Sequence, residues 1–173
     1  MAAVPVVLLA IWAYFGGGID SHLFLVMVPW LCLISAAELM PVLYLPHVTL
    51  TLSMPLLLAA GMTLGPAPAG ILGYLGAWDV RFFRGQVPFE REVFNRGQIA
   101  LSSIAGATTF HALGGSLDDW PTVVIPCFLA ILADVSVNMT LVAVGIFLGP
   151  KTPFGQVVKG VVLDYPMLFL ATY

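Results

Sequence analysis

The stretch WPTVVIPCFLAILADVSVNMTLVAVGIFL, from Trp120 to Leu148, decides what kind of protein this is. Its charged side chain is Asp134, and the rest is apolar or small. Read as a helix rising ~1.5 Å per residue, it exceeds the roughly 30 Å thickness of a bilayer's hydrocarbon core. Asp134 and Asn138 lie four residues apart within it, and so share one helical face.

The surrounding chain has the same character. Of 173 residues, 60% are hydrophobic and 9% charged, against roughly 25% charged in an ordinary soluble domain. The mean hydropathy is +1.02. Nine acidic and six basic residues cannot furnish the polar shell of a soluble fold this size. A DNA-binding protein, a soluble enzyme and a secreted disulfide scaffold are excluded, and an integral membrane protein is expected. Cys32 and Cys127 both sit in apolar runs and read as small buried hydrophobes rather than a disulfide.

Six further apolar segments flank or precede this one. The first runs from about Val4 to Phe15 and stops at Gly16-Gly17-Gly18; the second covers Leu23 to Leu45, with kinks expected at Pro29 and Pro41. The third, Val48 to Leu64, and the fourth, Ala69 to Trp78, are joined by a tight turn at Gly65-Pro66-Ala67-Pro68. Both are short, so the pair either spans a thinned region, extends into polar flanks or re-enters from one side, and the spaced Gly70, Gly73 and Gly76 allow close helix contact. The fifth covers Gly97 to Leu113, and the last, Val157 to Tyr173, carries Lys159, Asp164 and Pro166. Pro166 is expected to interrupt that last run, and the chain reads as stopping before a natural helix end. The expected fold class is all-α: a polytopic transmembrane bundle of six to seven segments forming a single domain, with a short, re-entrant-like pair at 48–78.

Residues 79–96 form one polar stretch, read as a loop, in which Arg81, Arg84, Arg91 and Arg96 cluster. The positive-inside rule places that loop in the cytoplasm. Counting spans outward puts the N-terminus and Lys151 inside, and Asp20, Asp118 and Asp119 outside, as in a multi-pass protein of the cell inner membrane.

Ionisable and amide side chains at membrane depth are expensive and often functional. The candidates for ligand binding or a polar network are Glu38, Asn95, Arg96, Gln98, Asp134 and Asn138. Asp134 and Asn138 read equally as an interhelical clamp or a ligand site. Glu38 is expected to pair with an arginine such as Arg96. Asn95, Arg96 and Gln98, with Ser102 and Ser103 a turn on, are expected to fix the arginine loop against the bundle. His22, His47 and His111 lie far apart in sequence. No zinc-type spacing, phosphate-cradling loop or hydrolase elbow appears, so no metal, cofactor or catalytic residue is expected.

Several of these segments resemble a known family. The stretches ELMPV from Glu38, SMPLLLAAGMTLGP from Ser53, FNRGQIALS from Phe94, NMTLVAV from Asn138 and YPMLFLA from Tyr165 are similar to the membrane input modules that precede bacterial HD-GYP phosphodiesterase or GGDEF cyclase domains. The resemblance covers roughly residues 23–173 and implies a non-catalytic sensory module, because neither signalling domain is present in this chain. It implies coupling of a small or lipidic ligand to a cytoplasmic domain or other membrane subunits, and no nucleic acid. A shorter stretch, PLLLAAGMTLGPAPAGILGYLG from Pro55 to Gly76, resembles substrate-binding S components of energy-coupling-factor vitamin transporters. It implies a vitamin-like ligand and an energising partner. A small structural subunit of a larger membrane complex is the third class compatible with so little polar surface.

Overall fold

The computed structural model describes residues 21–40, 42–45, 48–50 and 53–148. The expected segments at 4–15 and 157–173, with Lys159 and Asp164, lie outside the described residues, as do His47 and Lys151. The architecture is helical: α1 spans Ser21–Leu39, α2 Ser53–Leu64, α3 Pro66–Gly76, α4 Val80–Phe83, α5 Phe89–Ala112 and α6 Val124–Leu148. Five of these have ten residues or more, rather than the six to seven segments expected for the whole chain.

Between α1 and α2 the chain forms a small antiparallel hairpin, β1 (Val42–Leu45) and β2 (Val48–Leu50). This corrects the reading of one helix running to Leu45 and another starting at Val48. Pro41 has no amide to donate and disfavours helix at the residue before it, while Val42, Tyr44, Val48 and Thr49 suit extended backbone. Pro29, by contrast, lies inside a continuous α1.

α1 and the Val124–Gly145 part of α6 are 19 and 22 residues long, with mean hydropathies of 1.8 and 2.0. At ~1.5 Å per residue these lengths match a hydrocarbon core of roughly 30 Å. Among the described residues, two helices are therefore long and apolar enough to cross a membrane. Only 11% and 17% of their residues are buried within the chain, whereas the core helix of a soluble protein would be mostly covered. Phe24, Leu25, Ile125 and Phe128 point outward, each more than half exposed.

α2 and α3 fold back on each other at Gly65, whose φ of 98° and ψ of 174° are open essentially to glycine alone. Pro66 and Pro68 are not part of a loop, as the sequence suggested, but the first turn of α3, where a missing amide costs nothing. α3 then lies antiparallel to α5. Gly73 sits so close that a β-carbon there would be 3.1 Å from the Ala100 Cα. Gly76 plays the same part against Ile34 of α1. Ile34, Leu57 and Leu72, almost wholly buried, form the core where α1, α2 and α3 meet.

α5 begins eight residues earlier than expected. Phe89 to Arg96 is its first two turns and not the second half of a polar loop. Glu90 and Glu92 occupy the first turn, where carboxylates complement the helix dipole. α5 and α6 pack antiparallel: Gly106 lies against Ala130 and Asp134, and Phe94 lies against Gly145. Cys127 is half-buried beside Met62, 3.8 Å between sulfurs, but Cys32 faces outward from α1, contrary to its expected burial. Both thiols are free.

Candidate functional site

Apart from Ser53 at the start of α2, the buried polar groups among the described residues gather along α5 and its two flanks. Toward α3, Glu92 and Arg96 form an ion pair at 3.0 Å between Glu92 Oε1 and Arg96 Nε. They are four residues apart, so one helix turn stacks them on the same face. Their side chains are only 3% and 10% exposed, which makes this a desolvated pair rather than a surface one. The Arg96 guanidinium lies 3.3 Å from the centroid of the Trp78 ring, with the Tyr74 ring at 6.0 Å. Cation–π attraction is strongest when the charge is stripped of water, as here. Glu92 Oε1 also accepts a long bond, 3.5 Å, from the Asp79 amide. Glu92 Oε2 and Arg96 Nη2 are buried without a hydrogen-bond partner. The cluster thus pins the end of α3 and the start of α4 onto α5, with two polar atoms left over.

Toward α6, Gln98 Nε2 donates to Asn138 Oδ1 at 2.5 Å. Both residues are 7% exposed, so the amides clasp inside the α5–α6 interface. Asp134 lies one turn along α6 at 2% exposure. Ser102 and Ser103, one turn along α5, are equally buried, and their hydroxyls donate back to the Ile99 carbonyl. That back-bonding satisfies them within their own helix. The α5–α6 interface therefore holds amide and carboxyl groups between apolar turns.

The sequence-derived candidates fall into separate places. Gln98, Asp134 and Asn138 share the α5–α6 interface. Arg96 faces away from them toward Trp78, and Asn95 is half-buried beside it. Glu38 does not reach Arg96: the arginine is bound to Glu92, and Glu38, at the end of α1, accepts a hydrogen bond from the Ser53 hydroxyl at the start of α2. That bond closes the base of the β1–β2 hairpin. The partners Glu92, Tyr74 and Trp78 were not among the candidates. The i, i+4 spacing of Glu92 and Arg96 was visible in sequence, but only to a reading that made the stretch helical.

At the other end of α5, His111 Nε2 is 3.1 Å from the Gly61 carbonyl. The histidine is thereby engaged with α2, while Asp118 and Asp119 are exposed in the α5–α6 loop. A shallow concavity of about 280 Å³ opens in that loop, lined in part by Ser116, Asp119, Thr122 and Pro126. At the opposite end, the Asp79 side chain caps α4 through the Arg81 amide and binds the Arg81 guanidinium at 2.7 Å. The guanidinium bonds hold the Asp79 carboxyl below its ordinary value, with partial burial opposing them. No protein-family model, curated protein or solved structure matches this chain.

Proposed function

We propose that this chain is a non-catalytic integral membrane input module. It lies in the cell inner membrane as a multi-pass bundle of six to seven segments, with its N-terminus and the 79–88 region cytoplasmic. A small or lipidic ligand is received among the buried helices, and α5 relays the change to a cytoplasmic domain or partner. The observation that carries this reading is the Gln98–Asn138 clasp with Asp134 one turn away, buried between two helices in a chain with so few polar groups. Buried amide pairs of this kind have discrete made and broken states. A ligand that competes for either amide changes how α5 sits on α6. It shifts the balance only by as much as its affinities for the two states differ. α5 extends without a break from the clasp to Phe89, so the displacement travels along a rigid element. The resemblance to input modules supports the same assignment.

The test is native mass spectrometry of the full chain released from bilayer nanodiscs, combined with hydrogen exchange. A retained small molecule or lipid at fixed stoichiometry is expected, along with changed exchange at 89–96 once it is stripped. Asp134→Asn should weaken retention. In the paired variant Gln98→Leu with Asn138→Leu, which strands neither amide, retention should be lost while helicity is kept. A folded protein that retains nothing refutes the reading. A fixed set of membrane subunits without a ligand would assign a structural subunit instead. A one-to-one vitamin-like solute with an energising ATPase would assign an S component.

A further inference from the structure

The segment from Trp78 to Arg91 carries a second feature that the clasp does not use. Trp78 stacks on Phe83 at 5.2 Å, Phe83 meets Phe82 at 5.9 Å, and Phe82 meets Phe89 at 6.5 Å. This chain of rings links α3, α4 and the start of α5. Its outer members are open, with Phe83 62% and Phe89 67% exposed. Arg84 and Arg91 are exposed beside them and form no ion pair among the described residues. Arg81 is neutralised by Asp79, and Arg96 by Glu92. Glu90 is the exposed acid in this patch, and the remaining balance is positive.

Depth along the bundle says what covers these rings. Phe94 packs against Gly145, three residues before the apolar α6 ends at Leu148. Because α5 and α6 run antiparallel, Arg91 stands level with the end of α6 and Phe89 about 3 Å beyond it, at ~1.5 Å per residue. The headgroup layer begins at about that level, where the apolar helices end. Exposed aromatic rings and free guanidinium groups at that height fit an amphipathic, negatively charged layer better than they fit water.

We propose that Phe83, Arg84, Phe89 and Arg91 form a binding platform for the phosphate headgroups of anionic phospholipids. The rings sit among the upper acyl and glycerol groups, and the two guanidinium groups hold phosphate. This inference rests on the membrane reading above.

The full chain is reconstituted into vesicles of phosphatidylcholine mixed with phosphatidylglycerol, re-extracted, and its co-purifying lipid counted. Each arginine near an anionic surface contributes on the order of fivefold. Wild type should therefore enrich phosphatidylglycerol over phosphatidylcholine by roughly fivefold to tenfold once Glu90 is allowed for. The enrichment should fall as salt rises. In Arg84→Gln with Arg91→Gln it should drop to parity at unchanged helicity, and in Glu90→Gln it should rise. Parity in wild type, or undiminished enrichment in the double glutamine variant, overturns the proposal. Full displacement of phosphatidylglycerol by inorganic phosphate at matched ionic strength overturns it as well, since the site would then bind free phosphate. Alkaline extraction of the membranes separates the two levels: if the chain leaves the pellet the membrane reading fails, and if it stays without enrichment only the platform does.

Discussion

Arg96→Met tests the buried ion pair most directly. Methionine keeps the length and most of the volume of arginine but removes the charge and the planar fork. Glu92 would remain 3% exposed with only the distant Asp79 amide, at 3.5 Å, in place of a guanidinium at 3.0 Å. Breaking a buried pair from one side costs about 3–5 kcal/mol, because the survivor cannot regain water. The variant also loses the contact with Trp78 at 3.3 Å, about 1–2 kcal/mol for a desolvated site. Glu92→Leu strands the arginine but leaves it over Trp78, so it should cost less than Arg96→Met by about that amount. The double variant removes both charges at once and should cost only about 1–2 kcal/mol, well below the sum. The assay is a double-mutant cycle by SDS titration in mixed micelles, followed by far-ultraviolet circular dichroism. A coupling of roughly 3 kcal/mol or more is expected. Single losses below about 1 kcal/mol, or strict additivity, would refute a desolvated pair.

The other predictions concern separate parts of the bundle. Asn138→Leu leaves Gln98 with a buried donor and should cost about 1–3 kcal/mol in the same titration, with Gln98→Leu restoring part of the loss. Gly73→Val places a branched side chain where a β-carbon already meets the Ala100 backbone at 3.1 Å. It should cost about 1–3 kcal/mol, and cross-linking yields between α3 and α5 should fall. Ser53→Ala removes the bond to Glu38 and should speed amide exchange at the start of α2, an effect absent if the hairpin alone fixes that end. Asp79 titrates below its ordinary value of 3.8, chiefly because Arg81 hydrogen-bonds the ionised form. Its contribution is present above that value and is lost as pH falls through the lower folded one. Asp79→Asn should therefore flatten part of the acid limb of a melting-temperature profile, and an unchanged limb would count against the cap.

Much of the helical architecture was legible because hydropathy varies along the chain on the scale of a helix. α6 is apolar over most of its length, and a helix satisfies its backbone groups within a single segment. The boundaries were legible only where a residue forbids helix, as at Gly65. Where the polar character of 79–96 suggested a loop, the first two turns of α5 intruded. Charge count alone cannot distinguish a solvated loop from a helix end whose charges neutralise each other. The β1–β2 hairpin was hidden for a related reason: an apolar run of four residues reads the same in a strand and in a helix.

By itself the sequence determined the helical class of the fold, the turn between two helices at Gly65 and part of the polar set inside the bundle, Arg96, Gln98, Asp134 and Asn138 but not Glu92. Each of those depends on local properties, namely hydropathy, glycine freedom and the rarity of charge. The tertiary structure alone decided who pairs with whom. Glu38 had several arginines within formal reach, yet Arg96 is claimed by Glu92 one turn away and by Trp78 from a different helix. Gln98 finds Asn138 only because α5 and α6 run antiparallel in a register set by Gly106 and Gly145. Pairing depends on distance in space, and a linear chain fixes that distance only when its helices have packed.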